Sequence, residues 1–351
     1  MKKMLNIIIL VVLMLGIMSC SLGTKQVLYV FNWTDYIAPE LIRKFERQNN
    51  CKVIHDFYNS NENMLTKVLT SSNPYDIIVP SGDHVQIMME MDLLSKIDKT
   101  LLNFYHNLDP TILSKSQVYD PTNEFSIPYF WGTTGFIYNT RYLSHEMMAD
   151  VSWDFIGHED FYERNVITLL DDYREVIGAA LIFNGFDSND YSDEALEIAR
   201  ETLLRWKPNI SQFDSDSFKN DVQDGTIHFG MAYNGDALQV MEENDDIGFT
   251  LPREGSVIWV DFLVIPKDSA NKELAHKFID FLLEENNALI NTEYVQYATP
   301  NIAAFELLDD EIKDNTNIYP TSEYMDKSYM TLNVGYNVLK FDEIWQEIRN
   351  K

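Results

Sequence analysis

From Gln26 onward the apolar residues switch period several times. "QVLYVF" (26–31) is a short apolar run of strand length. Pro39 then opens a helix in which Leu41, Ile42 and Phe45 fall on one side. "KVIHDFY" predicts a second strand, and 61–71 a helix with Met64, Leu65, Val68 and Leu69 as its apolar stripe. "YDIIVP" predicts a third strand and 84–94 a third helix. Strands alternating with helices at this spacing predict a parallel sheet covered by helices. The fixed hand of such crossovers gathers the strand C-termini on one edge, where ligands bind. The segments after the first and third strands, "NWTDY" (32–36) and "SGD" (81–83), therefore fall on that edge.

The middle of the chain repeats the theme. "NVITLLDDYREVIGAALIFNG" (165–185) reads as a short strand, an acidic turn and a helix with Val176, Ile177, Ala180 and Leu181 apolar. "TIHFGMAYNGDALQVMEE" (226–243) reads as a strand around 226–232, a turn, and a helix from about Asp236. "SVIWVDFLVIP" (256–266) runs back as a strand, and 271–285 is a strongly patterned helix. No repeat, low-complexity segment or Gly/Ser linker separates the two units. The expectation is an α/β protein of two lobes, joined by extended hinge segments, with a binding cleft between them.

Within "SVIWVDFLVIP", Trp259 and Asp261 are two apart and share a face of the strand. Packing alone has no use for a carboxylate beside an indole. Similar pairings recur at the other turns. Asp172 and Glu175 stand three apart at a helix start, as a ligand pair or simply as charges complementing the helix dipole. Tyr233 and Asp236 flank a turn, as ligand groups or as a turn with an N-cap Asp. Trp33 and Tyr36 are cleft aromatics or lobe-packing rings. Together, aromatics and acids at several cleft-edge turns suit an organic cation. An aromatic face attracts an ammonium by roughly 0.5–2 kcal/mol, a carboxylate about 4 Å away by on the order of 4 kcal/mol at an effective dielectric near 20, and rings cover methylenes at roughly 0.8 kcal/mol each. A linear polyamine carries both charged nitrogens and apolar spacers.

Charge narrows the partners. With 27 Lys plus Arg against 55 Asp plus Glu, the net charge is −28 in 351 residues, which repels nucleic acid and anionic lipid. Lys2 and Lys3 precede the apolar stretch Leu5–Met18, which stops at Ser19-Cys20. This matches a signal peptide over residues 1–19 of the lipoprotein kind, with Cys20 as the lipidated residue. Plain secretion or a single anchoring helix are the alternatives. Loss of that leader takes the net charge from −28 to −30. Cys51 then remains alone, so no internal disulfide is expected and a packed thiol is its expected role. There is no CxxC or HExxH spacing, and the seven His are expected to be structural or on the surface.

Six segments carry a resemblance: "YVFNWTDYIAPELIRKFE", "PYDIIVPSGDHV", "PYFWGTTGFIYN", "LLDDYREVIGAAL", "WVDFLVIPKDSANKELAHKFIDFLL" and "YATPNIAA". In order and over nearly the whole mature chain, they resemble the spermidine/putrescine-binding proteins of bacterial polyamine ABC transporters. The resemblance implies the type II periplasmic binding-protein fold, with lobe 1 from residues 20–136 and 260–304 and lobe 2 from 137–259 and 305–351. It implies a non-enzymatic periplasmic receptor, lipid-anchored through Cys20, monomeric and without cofactor or metal, that delivers spermidine, putrescine or both to a membrane permease and its ATPase. By position it places Trp33, Thr34 and Tyr36, Ser81 and Asp83, Asp172 and Glu175, Tyr233, Trp259, Asp261 and Tyr297 in the ligand site. Tyr233 stands where relatives usually carry Trp. Asp236 resembles an acid of the putrescine-selective branch, and Thr331 stands where spermidine-binding relatives carry Gln. Two rivals remain: another cargo on the same fold (a sugar, an amino acid, thiamine or a metal), and a secreted glycosidase using Asp172 and Glu175 as its two carboxylates.

Overall fold

A computed structural model describes residues 25–71, 75–161, 164, 166–215 and 217–350. The expected leader over 1–19 and the lipidation residue Cys20 lie outside the described residues. Strands β1 (Gln26–Trp33), β2 (Cys51–Tyr58) and β3 (Ile77–Ile78) pair in parallel in the order β2-β1-β3. Helices Pro39–Asn49 and Asn61–Thr70 connect them, as the alternation requires. Side chains divide by the two-residue period of a strand. Leu28, Val30, Ile77 and Leu263 enter one core with Leu41, Phe45 and Phe278. Phe31, Ile78, Phe262 and Val264 enter another with Tyr58, Val85 and Met88. The sheet is therefore buried on both faces, which accounts for its continuous apolar runs.

The parallel expectation does not hold for the strands that join next to β3. Strand β9 (Val257–Val264) joins β3 antiparallel through Ile78 and Val264, and β4 (Ser126–Asn139) joins β9 antiparallel. Both are reached through long excursions rather than a single crossover helix, so nothing constrains their direction. The path continues through β7 (Phe229–Tyr233) to β5 (Ile167–Leu169) and β6 (Ile210–Phe213), with β8 (Ile247–Thr250) on β4 and β10 (Tyr329–Met330) on β9. β4 pairs with β9 over Ser126–Thr133 and with β7 over Thr134–Tyr138. It also leaves one core for another: Tyr129 and Phe130 pack beside Leu28 and Leu263, whereas Phe136 packs with Trp153, Ile177, Trp206, Phe229 and Trp345. β9 makes the same passage in reverse, with Val257 in that last core and Trp259 beyond it. Both strands therefore contribute to two separate cores.

Local chemistry moves several boundaries. β3 is only two residues because Pro80 has no N–H, although its carbonyl still accepts from Phe262 N at 2.9 Å. The third helix spans Gly82–Glu90 and stops short of 94, where Asp92 turns left-handed at φ 57°. The strand expected at 226–232 runs from Phe229 to Tyr233, and the following helix starts at Asn234. Tyr233 takes the cap position, so Asp236 lies inside the first turn and is not an N-cap. Cys51 is a buried free thiol at the start of β2.

Candidate functional site

All thirteen candidate residues line one cleft of about 860 Å³, including Thr34 at its exposed rim and Thr331, whose backbone N–H bonds the Ile258 carbonyl at 3.2 Å. Asp261 sits at its floor. The Tyr36 hydroxyl donates to Asp261 Oδ2 at 2.8 Å and the Ser81 hydroxyl to Oδ1 at 2.6 Å. Asn61 in turn donates to Ser81 Oγ at 3.1 Å. The turns after β1, β2 and β3 thus converge on one carboxylate of β9. Burial nevertheless dominates: Asp261 is 5% exposed, and its carboxyl is pushed up to about 7 despite these two donors.

A file of rings stands over it. Tyr36 and Tyr297 are 5.6 Å apart, Tyr297 and Trp259 4.8 Å, and Trp259 and Tyr233 5.8 Å, all close to edge-to-face. That geometry stabilises the rings against one another. Two glycines make the space. A Cβ on Gly132 would lie 2.4 Å from the Trp259 ring, and one on Gly235 2.6 Å from the Tyr297 ring. Trp33 is held by its ring 4.5 Å from Tyr58 and by donation from Nε1 to the Val79 carbonyl at 2.9 Å. The Trp259 Nε1 has no hydrogen-bond partner among the described residues.

The helix Tyr173–Phe183 supplies the second acidic station. Asp172 is its N-cap, with Oδ1 accepting from Arg174 N at 2.9 Å and Glu175 N at 3.2 Å. The helix-terminus alternative is therefore real for Asp172, yet its Oδ2 also accepts from the Tyr233 hydroxyl at 3.2 Å inside the cleft. Glu175 is 4% exposed, and its Oε2 has no partner among the described residues. Burial raises both carboxyls; Glu62 adds to the rise at Asp172, and Asp172 to that at Glu175. Burial and Asp172 raise the Glu175 carboxyl more than Arg174 lowers it, and a cation in the cleft would relieve the remainder.

Two candidate acids are already engaged. Asp83 Oδ2 lies 3.0 Å from His84 Nδ1. Burial works to raise the Asp83 carboxyl but is outweighed by His84 and Arg174, so it is held below the usual range. Asp236 Oδ1 accepts from Lys219 Nζ at 2.7 Å. His84, buried against Asp83, also lines the cleft. Arg174 also lines the cleft, but its guanidinium donates to the Leu332 carbonyl at 3.0 Å and to Asn189 Oδ1 at 2.8 Å and stands 4.8 Å over the Phe341 ring. Sequence reasoning also missed Tyr58, Asn61, Glu62 and Lys219 as lining residues. The first three had a signal: the segment after β2 lies on the same strand-end edge as "NWTDY" and "SGD". Lys219 had none. Among the described residues no group of three or more His, Cys, Asp or Glu is arranged to hold a metal ion.

Residues 40–321 match the family described as "Bacterial extracellular solute-binding protein". The chain is 34% identical over 338 residues to a spermidine/putrescine-binding periplasmic protein of Salmonella typhimurium, covering 96% of this chain and 95% of that one. It is similar to a solved putative spermidine/putrescine ABC transporter from Listeria monocytogenes, with 36% identity, a TM-score of 0.84, and coverage of 93% of this chain and 99% of that one. It is also similar to the TpPotD lipoprotein of Treponema pallidum, with 29% identity, a TM-score of 0.81, and coverage of 93% and 100%. The expected two-lobed type II periplasmic binding-protein fold is thus the fold of this chain. On this agreement of sequence and architecture, the chain belongs to the bacterial extracellular solute-binding proteins.

Proposed function

We propose that this chain captures a linear polyamine, spermidine or putrescine or both, and presents it to the permease and ATPase of an ABC importer. The observation that carries the reading is the set Asp172, Glu175 and Asp261: three carboxyls raised by burial, Glu175 and Asp261 buried and Asp172 half-buried, in one cleft lined by aromatic rings. Ammonium groups would neutralise them, and the rings would cover the methylenes between. The Coulomb gain, on the order of 4 kcal/mol per close pair at an effective dielectric near 20, is partly offset by desolvation. A neutral sugar could donate hydrogen bonds to the three carboxyls but would leave their charge uncompensated. An amino acid needs a cation for its α-carboxylate, and Arg174 is committed to Leu332 and Asn189. The role is that of a binding protein and not an enzyme, in keeping with the transport relatives. Calorimetric titration with spermidine, putrescine, maltose and arginine should give heat with the polyamines alone; a silent titration with both polyamines would end this reading.

Lobe 1 is assigned to residues 20–136 and 260–304, lobe 2 to 137–259 and 305–351, with the hinge in β4 and β9. The exchange of cores along both strands supports a hinge in β4 and β9, a few residues before these bounds, since Phe136 already packs in the second core and Trp259 already in the first. Ligand held between Asp261 and the Asp172–Glu175 pair favours the closed form only by contacting it better than the open one. Small-angle scattering should therefore show a smaller radius of gyration with spermidine, and an unchanged radius would contradict closure. The protein works outside the cytoplasm, as its periplasmic relatives do. A monomer tethered through a lipid on Cys20 fits the leader pattern. Replacing Cys20 with Ser would then move the protein from the membrane fraction to the soluble one.

A further inference from the structure

The helix Asn61–Thr70 begins at the cleft, and its first turn carries Glu62, which lines the opening. The start of that helix is fixed. Ser60 is its N-cap and accepts from Asn63 N at 3.2 Å. Asn61 accepts from Ser81 N at 3.2 Å and donates to Ser81 Oγ at 3.1 Å. The Ser81 hydroxyl in turn holds Asp261, so Glu62 stands on the frame that carries the first acidic station. The Glu62 side chain makes no hydrogen bond or ion pair among the described residues. An acid at a helix start complements the dipole, but this one also acts on the opposite wall. After burial, Glu62 does most to raise both the Asp172 carboxyl and the Tyr173 phenol.

Asp172 caps the helix Tyr173–Phe183, so two helix starts meet at the cleft, one from each assigned lobe, and each brings an acid. Glu175, 4% exposed and with Oε2 unpartnered among the described residues, lies in the first turn behind Asp172. Resting on the proposed polyamine reading and its two lobes, we infer that Glu62 is the lobe 1 half of a clasp that Asp172 completes from lobe 2, so that carboxylates of both lobes hold one terminal ammonium. Closing the cleft empty drives these like charges together. An ammonium between them replaces that repulsion with attraction to both. Glu62 thus opposes closure without a ligand and favours it with one, which is the differential contact that closure needs. The repulsion also sets how substitutions combine. Removing either carboxylate loses its attraction for the ammonium but relieves the repulsion, so each single change is partly compensated. Removing both relieves the repulsion only once, so the double change weakens binding by more than the product of the singles.

The test is calorimetric titration of spermidine and putrescine at pH 8 into wild type, Glu62→Gln, Asp172→Asn and the double variant. Glu62 is exposed, and Asn retains the cap at 172, so the fold is kept in each. Each single change should weaken binding roughly threefold or more, and the double should weaken it roughly fivefold or more beyond the product of the two. An acid at 62 that served only its own helix would leave affinity unchanged in Glu62→Gln. That result, with wild type binding a polyamine, overturns this inference alone. Single effects that simply multiply in the double variant also overturn it, since the two carboxylates would then not share one nitrogen. If wild type binds neither polyamine, the polyamine reading fails and takes this inference with it.

Discussion

Replacing Asp261 with Asn is expected to move affinity and stability in opposite directions. Polyamine affinity should fall roughly 10- to 100-fold, because a hydrogen bond to a charged group contributes about 1.5–3 kcal/mol and each 1.4 kcal/mol is tenfold. The ligand-free protein should become more stable at pH 8. The Asp261 carboxyl is held at about 7 by burial, against about 3.9 in an unfolded chain, so keeping it ionised in the empty cleft opposes folding by roughly 4 kcal/mol. Asn removes that charge. It also forfeits one acceptor, because Tyr36 and Ser81 donate to opposite oxygens and the amide nitrogen cannot accept. The net gain should be roughly 1–2 kcal/mol after that loss. Urea unfolding and calorimetry on the same preparation check both signs. A destabilised apo protein would show that Asp261 is there for the fold and not for a guest. Sites that are costly when empty are a common form of trade between stability and function.

Affinity for polyamine should rise, and apo stability fall, as pH goes from 5 to 8. A carboxyl whose folded value is raised contributes fully below its unfolded value near 4, and the contribution is lost as pH climbs through the folded value, about 7 for Asp261. Asp172 and Glu175 are raised by burial and by neighbouring acids, so they act in the same direction. His84, raised on balance by Asp83, adds to the loss as it deprotonates. Asp83, held low, works in the opposite sense and only at acid pH. Alkyl ammonium groups stay protonated throughout, with reference values about 10. A bound polyamine therefore favours the ionised carboxyls and expels protons. Titrations near pH 7 in buffers of different ionisation enthalpy should report net proton release, and melting curves with and without spermidine should diverge as pH rises. Affinity that stays flat from pH 5.5 to 8 would contradict the assignment of buried, protonatable acids to the ligand.

The first lobe was legible because its strands and helices each obey one period. Leu41 and Phe45 of the helix Pro39–Asn49 are buried on one side, as their spacing demands. β4 was not legible as a single strand. Every one of its fourteen residues is buried, so it shows no alternation, and Pro128, Gly132 and Gly135 read as breaks. The glycines in fact admit neighbours: Trp259 over Gly132, and the Thr250 carbonyl against Gly135. The acidic and aromatic turns were legible because chemistry that packing does not need stood at predicted strand ends. Glu62 and Asn61 obey the same rule one strand over. His84 and Lys219 did not stand out, because a His beside an Asp and a Lys on a polar helix are ordinary until tertiary structure places them against an acid.

The central claim is that buried carboxyls in a ring-walled cleft hold the nitrogens of a flexible amine. A crystal structure of the spermidine complex tests it most directly. One ligand nitrogen should lie about 3 Å from Asp261 and another about 3 Å from the Asp172–Glu175 pair, with the methylenes between them against Trp259 and Tyr297. Spermidine ordered outside the cleft, or inside it with no nitrogen on any of these carboxyls, would contradict the account.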